Sequence, residues 1–321
     1  MGEFDLIERF FKRPAKHADL GVGDDCALLS PRPGHQLALS SDMLVEGRHF
    51  LSTVNPVWLG HKSLAVNLSD LAACGAEPRA FLLSLSMPRA DTAWLEGFSQ
   101  GLFQLAELHG CELIGGDTTQ GPLNISITVI GDVPNGQALL RSGAQVGDDI
   151  HVSGTLGDAR LALEAFRGQL SLPGPVFARC RARMEQPAPR VALGMALRGI
   201  ATAAADVSDG LLGDLGHILK QSRVGARLAL DTCESLLACR HDTDLPEHWR
   251  RTCVLAGGDD YELVFTAPPE QRQAVQAAAE RSGTAVTRIG TVVAGHGVAL
   301  LDAQNQAVQA SFASFDHFNE H

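Results

Sequence analysis

The sequence predicts a two-domain α+β protein, and three observations lead there. The chain has 321 residues, 45% of them hydrophobic, enough for two buried cores of ordinary size. Helix-period and strand-period runs are mixed, without the clean strand–helix alternation of a parallel α/β fold. A polar, glycine-containing stretch at 143–149 separates two strand-like runs and reads as a boundary. The expected domains are 1–145, a sheet carrying helices, and 146–321, a second α/β domain.

In chain order, 36–41 reads as a strand and 58–74 as a largely apolar helix. A strand at 81–86 follows. Trp94, Leu95, Phe98, Leu102 and Leu105 recur at helical spacing. Strands are predicted at 123–131 and 150–153. The segment 170–189 holds four prolines and reads as a connection. Leu211, Leu212, Leu215, Ile218 and Leu219 mark another helix, and 227–231, 261–266 and 285–289 read as strands.

Composition removes several function classes. A net charge of −11 disfavours nucleic acid, which needs clustered Lys and Arg. No apolar run reaches the roughly 18 residues of a membrane span. The richest candidate, 191–205, is cut by Arg198. The acidic start, Met-Gly-Glu-Phe-Asp, lacks a signal-peptide layout, so a cytoplasmic protein is expected. Seven cysteines without a C-x-x-C pair read as reduced core residues.

The aspartates carry the chemical signal. Asp24 and Asp25 follow Gly-Val-Gly; Asp42 ends a strand; Asp70 lies inside an apolar helix; Asp117 follows Gly115-Gly116. Asp206 and Asp209 bracket Val-Ser, and Asp259 and Asp260 follow Gly257-Gly258. A strand end aims a carboxylate into the crevice beside the sheet, and glycine lets a ligand approach the backbone. Such an oxygen-only array suits Mg²⁺, which takes a few carboxylates and completes its shell with water and phosphate. Any one of these aspartates is also ordinary turn or N-cap chemistry. Asp70 is harder to explain that way, because Asp is a poor helix former and a polar group on a buried stripe needs a partner.

The usual phosphate loops are absent. The third glycine of a dinucleotide fingerprint starting at Gly21 would fall on Cys26. A P-loop needs Gly-Lys-Ser/Thr, and the chain's Lys62-Ser63 follows His61. Neither H-R-D nor D-F-G occurs. Nucleotide phosphates would be met by metal, backbone amides and arginine.

Seven motifs occur in one order: Gly-Val-Gly-Asp-Asp-Cys-Ala-Leu-Leu, Ser-Ser-Asp-Met-Leu-Val-Glu-Gly-Arg-His-Phe, Ala-Val-Asn-Leu-Ser-Asp-Leu-Ala-Ala-Cys-Gly-Ala, Leu-Ile-Gly-Gly-Asp-Thr-Thr, Arg-Ser-Gly-Ala, Asp-Val-Ser-Asp-Gly-Leu and Gly-Gly-Asp-Asp-Tyr-Glu-Leu. Together they resemble the thiamine-monophosphate kinases, of the aminoimidazole-ribonucleotide-synthetase-like superfamily of ATP-using enzymes. The resemblance runs from Gly2 to Phe318. It implies transfer of the ATP γ-phosphate to thiamine monophosphate, giving thiamine diphosphate as the last step of its biosynthesis. It also implies several Mg²⁺ ions and a homodimer built through the N-terminal domains.

Position by position, the resemblance implies metal ligands at Asp25, Ser40, Ser41, Asp42, Asp70, Asp117, Asp206 and Asp209. It implies ATP contacts at Gly116, Asp117, Arg141 and Ser208, and thiamine-phosphate contacts at His49, Asp259 and Phe315. Asp259 stands where the family pattern has Glu, Ser41 where Thr is frequent, and Phe315 where Tyr or Trp is common.

Physical chemistry agrees with this reaction. A phosphate monoester has its second pKa near 6, so the acceptor oxygen is already ionised at neutral pH and needs no general base. No catalytic acid or base is therefore expected. Two anions must be brought in line, which is positioning and charge neutralisation. Ser208 and Asp209 lie at a predicted helix N-terminus, where amides favour phosphate oxygens. Rival readings are another ATP-using enzyme of the superfamily, such as selenophosphate synthetase, and a non-enzymatic nucleotide or metal sensor. The absence of lysine between Lys16 and Lys62 argues against the former.

Overall fold

The computed structural model describes residues 2–308, which form two compact units. One comprises 2–71 with 76–138, the other 72–75 with 139–308. The first unit opens with a short helix α1 (Glu3–Leu6) and a π-helical turn, Ile7–Phe11. Next come β1 (His35–Val45), α2 (Pro56–Ala73), β2 (Glu77–Met87), α3 (Thr92–Leu108), β3 (Glu112–Gln120) and β4 (Asn124–Pro134). Its sheet has the order β1-β4-β2-β3, with β2 and β3 parallel and the other pairs antiparallel.

The two faces of this sheet differ. Ile125, Ile127 and Val129 on β4 and Phe81, Leu83 and Leu85 on β2 are buried. The alternate residues of β1 point the other way, leaving Leu37, Leu39 and Met43 38%, 63% and 54% exposed. Helix α2 is apolar almost all round, with Leu59, Leu64, Ala65, Leu68 and Leu71 at 1% exposure or less. It meets α3 at two glycines. A Cβ on Gly60 would lie 2.0 Å from the Phe98 carbonyl, and one on Gly101 1.8 Å from that of Val57.

The second unit runs β5 (Asp149–Ser153), α4 (Asp158–Phe166), α5 (Gly174–Glu185), α6 (Val191–Ala196), β6 (Ala203–Val207), α7 (Leu211–Ser222), β7 (Gly225–Ala229), α8 (Leu230–Glu234) and α9 (Glu247–Ala256). It ends with β8 (Glu262–Ala267), a 3₁₀ turn (Pro269–Gln271), α10 (Arg272–Ser282), β9 (Val286–Val293) and β10 (Gly297–Leu301). Its six-stranded sheet has the order β10-β7-β9-β5-β8-β6, with β7 and β10 the parallel pair. Each unit is thus a mixed sheet with helices, the α+β class the sequence predicts.

Local predictions fail at several places. The proline-rich 170–189 contains the helix α5. Its prolines stand at the ends, with Pro173 as N-cap and Pro175 in the first turn, where no amide partner is lost. Val176, Cys180 and Met184 form its buried stripe. The strand predicted at 227–231 ends at Ala229; Leu230 and Cys233 are buried at helical spacing in α8. β3, β6 and β10 were not predicted, because β3 carries a Gly-Gly pair and β6 is mostly alanine. No described helix is long and apolar enough to cross a membrane. All seven cysteines are free thiols.

Candidate active site

In the first unit, Ser40 and Asp42 share the side of β1 that faces α2. The Ser40 hydroxyl donates to Asp70 Oδ2 at 2.5 Å, and the Asp42 amide donates to Asn67 Oδ1 at 3.0 Å. Asn67 in turn donates to the Ser63 carbonyl at 3.0 Å. Ser63, Asn67 and Asp70 therefore form a polar stripe at i, i+4 and i+7 on an otherwise apolar helix. That stripe answers why an Asp sits there: it meets the polar side of β1. Ser41, on the opposite face, shares a 2.9 Å hydrogen bond with Thr128.

Gly116 and Asp117 lie on the other edge strand. Through the registers Asp42↔Ile127, Ile127↔Leu83 and Leu83↔Gly116, Gly116 stands in the same row as Asp42. Three strand spacings of about 4.8 Å separate their backbones. The fold thus brings the strand of Asp42 against the helix of Asp70 and sets Asp117 on the opposite edge strand from Asp42. Gly116 has φ +142°, and a Cβ there would lie 1.8 Å from the Leu83 carbonyl, so a side chain is excluded.

Asp25 sits in a loop closed by the Leu20↔Leu28 bridge. The Asp24 carboxylate accepts the Asp25 amide at 2.8 Å, a turn-forming role distinct from Asp25's. The preceding segment is held by Glu112, which accepts the amides of Lys16, His17 and Ala18 at 2.6, 2.8 and 2.6 Å. Burial pushes the Glu112 pKa up, but these three bonds together outweigh it and hold the carboxyl below its ordinary value. His49 Nδ1 accepts the Val45 amide at 3.0 Å, which places the neutral ring's proton on Nε2.

In the second unit, antiparallel pairing of β6 with β8 brings two distant motifs side by side. Asp206 faces Leu263, and Val207 faces Glu262. Residues 206–210 leave β6 where 257–261 enter β8. The Asp259 amide donates to the Ser208 carbonyl and the Tyr261 amide to that of Val207, both at 2.9 Å. The Tyr261 hydroxyl donates to Asp259 Oδ1 at 3.1 Å. Asp259 and Tyr261 have φ +69° and +52°, a left-handed backbone that non-glycine residues seldom adopt. Glu262, fully buried, anchors the base of the turn by accepting from Ser153 at 2.6 Å and from Arg183 and Arg190 at 2.9 and 2.5 Å.

Asp214 is the residue the sequence reading missed. Its Oδ2 accepts the amides of Ser208, Asp209 and Gly210, each at 3.1 Å. The amides expected to greet phosphate thus already serve a carboxylate of their own helix. The signal was available: Asp214 lies in the first turn of α7, where a carboxylate meets unpaired amides. Burial, then the charge of Asp209, pushes the Asp214 pKa up to about 7, against the pull of the Asp209 and Gly210 amides and Arg141. Phe315 lies outside the described residues.

Two family models cover most of the chain. "AIR synthase related protein, N-terminal domain" matches residues 23–133, and "AIR synthase related protein, C-terminal domain" matches 136–302. The thiamine-monophosphate kinase of Escherichia coli K12 is 43% identical over 323 aligned residues, covering 99% of this chain and 98% of that one. The chain belongs to the thiamine-monophosphate kinase family. A crystal structure of thiamine-monophosphate kinase from Stenotrophomonas maltophilia K279a is similar at TM-score 0.83 and 46% identity, covering 91% of this chain and 92% of that one. The solved complex "AaThiL complexed with AMPPCP and TMP" is similar at TM-score 0.73 and 28% identity, covering 98% and 96%. This thiamine-monophosphate kinase family member is accordingly an enzyme, with the family's two-domain fold.

Proposed function

We propose that this chain transfers the γ-phosphate of ATP to the phosphate of thiamine monophosphate, producing thiamine diphosphate and ADP by direct in-line displacement, the last step of thiamine diphosphate formation. The observation that carries the reading is full-length similarity to enzymes named for this substrate, joined to acidic motifs that retain the family's order. The acceptor is ionised near neutral pH, so the residues have to position and neutralise rather than abstract a proton.

The proposed metal ligands Asp25, Ser40, Ser41, Asp42, Asp70, Asp117, Asp206 and Asp209 offer only oxygen, the donor set that fits Mg²⁺. When bound, Mg²⁺ would neutralise phosphate charge and orient the reacting oxygens. Ser40 and Asn67 hold the Asp70 carboxylate and the Asp42 backbone in place for that task. Gly116, with no side chain, lets its strand pass close to the Leu83 carbonyl and so sets Asp117 beside it on the ATP side. Arg141 supplies a forked cationic contact to ATP phosphate, and Ser208 reaches it through its hydroxyl, its amide being engaged by Asp214. His49, Asp259 and Phe315 form the thiamine-phosphate side.

The protein works as a cytoplasmic homodimer in this reading. The sheet face bearing exposed Leu37, Leu39 and Met43 is the apolar surface suited to a second copy. Incubation with ATP, Mg²⁺ and thiamine monophosphate tests the activity. Thiamine diphosphate and ADP should appear in equal amounts. Consumption of another superfamily substrate with no thiamine diphosphate would overturn the assignment.

A further inference from the structure

The turn 206–210 has its carbonyls and its amides captured from two sides. The carbonyls of Val207 and Ser208 are held by the amides of Tyr261 and Asp259. A Cβ on Gly258 would come within 2.3 Å of the Ser208 carbonyl, so the two loops touch backbone to backbone. On the other side, three consecutive amides converge on one oxygen of Asp214, a side chain only 3% exposed. Three N–H groups meeting at one point require a tightly curved backbone, and only an ionised or strongly polar acceptor satisfies them together. The curvature determines where the side chains of Ser208 and Asp209 point, while Asp214 itself is turned inward.

We propose that Asp214 is a positioning residue for the acidic turn: by gathering the amides of 208–210 it aims the Ser208 hydroxyl and the Asp209 carboxylate at the MgATP they are to hold. The proposal rests on the kinase reading for the identity of the ligand. Its own evidence is the geometry of the turn.

The decisive variant is Asp214→Asn, nearly isosteric, whose amide oxygen accepts more weakly; Asp214→Ala removes the acceptor altogether. With the full-length protein, three quantities are measured: hydrogen exchange of the segment 206–212, Mn²⁺ binding by electron paramagnetic resonance, and steady-state kinetics. The Asn variant should exchange faster in that segment and bind Mn²⁺ several-fold more weakly. KM for MgATP should rise about tenfold while kcat changes less, as expected when a charge-assisted hydrogen bond is weakened. The Ala variant should exaggerate each effect. Unchanged exchange at 206–212 in the Asn variant would overturn the proposal even if Mn²⁺ binds less well, since charge alone would then explain the loss. A fall in kcat with KM and Mn²⁺ affinity intact would also overturn it, because that marks a smaller active fraction. If the wild-type protein forms no thiamine diphosphate, the kinase reading fails, while the exchange and Mn²⁺ measurements still judge Asp214.

Discussion

In the first unit, Asp42 and Asp70 sit on a strand and a helix and are organised through side chains: Ser40 on Asp70, Asn67 on the Asp42 amide. In the second, Asp206 ends a strand and Asp209 sits in a turn whose amides and carbonyls are captured by Asp214 and by the 257–261 loop. The difference teaches that one kind of acidic array can be positioned in two ways. Where regular elements pack, strand–helix register places the carboxylate and one side-chain bond trims it. Where the chain turns sharply, the backbone has to be held directly, and a buried acid does so.

The largest effects should come from the acids themselves. Asp70→Asn and Asp206→Asn should each lower kcat/KM by about 10²–10³-fold while the fold persists, the scale of losing one charge-stabilising group. Kinetics with circular dichroism checks this. Wild-type-like turnover and unchanged Mg²⁺ dependence in both variants would break the comparison, since neither cluster would then bear on catalysis.

Next comes stability against pH, to which His151 of the second unit should contribute. His151 on β5 is 5% exposed, stacks on Phe265 with ring centroids 5.1 Å apart, and has a buried Nε2 without a hydrogen-bond partner. Burial lowers its pKa from 6.5 to about 4; Asp149 opposes the shift, and Arg288 and Arg272 assist it. The unfolded chain therefore takes up a proton that the folded chain refuses. His151's contribution is complete above pH 6.5 and declines as pH falls toward 4, by about 3 kcal/mol in all. Urea unfolding of His151→Phe should show a shallower acid loss than the wild type. Parallel pH profiles would exclude His151 as the cause.

A smaller effect should follow from loosening the first unit. Ser40→Ala deletes the bond to Asp70 and should cost about tenfold in kcat/KM, the worth of a hydrogen bond to a charged group. Glu112→Ala releases three amides ahead of the Asp25 loop, and should speed hydrogen exchange at 16–18 with a few-fold rise in half-saturating Mg²⁺. If Glu112→Ala outweighs Ser40→Ala, backbone capture matters in this unit as well, and the contrast between the units narrows.

Much of this was legible in the chain. Helix α2 and the strands β1 and β4 follow from apolar periodicity, and the acidic motifs stood out because each follows an apolar run or a glycine pair. Helix α5 was hidden because prolines at its ends read the same as prolines in a loop. β3 was hidden because Gly115-Gly116 reads as a turn, whereas in the sheet it lets the strand pass the Leu83 carbonyl.

The order and type of residues by themselves determined the family, the acidic oxygen-bearing motifs and the absence of a usual phosphate loop, because those depend on chemistry and local spacing. Only the tertiary structure decided that Ser40 and Asn67 serve Asp70 and Asp42, that Asp117 lies on the far edge of the same sheet, and that Asp214 occupies the helix amides. Each of these is a contact between segments apart in the chain or a direction of a side chain in space. Periodicity in one dimension carries neither.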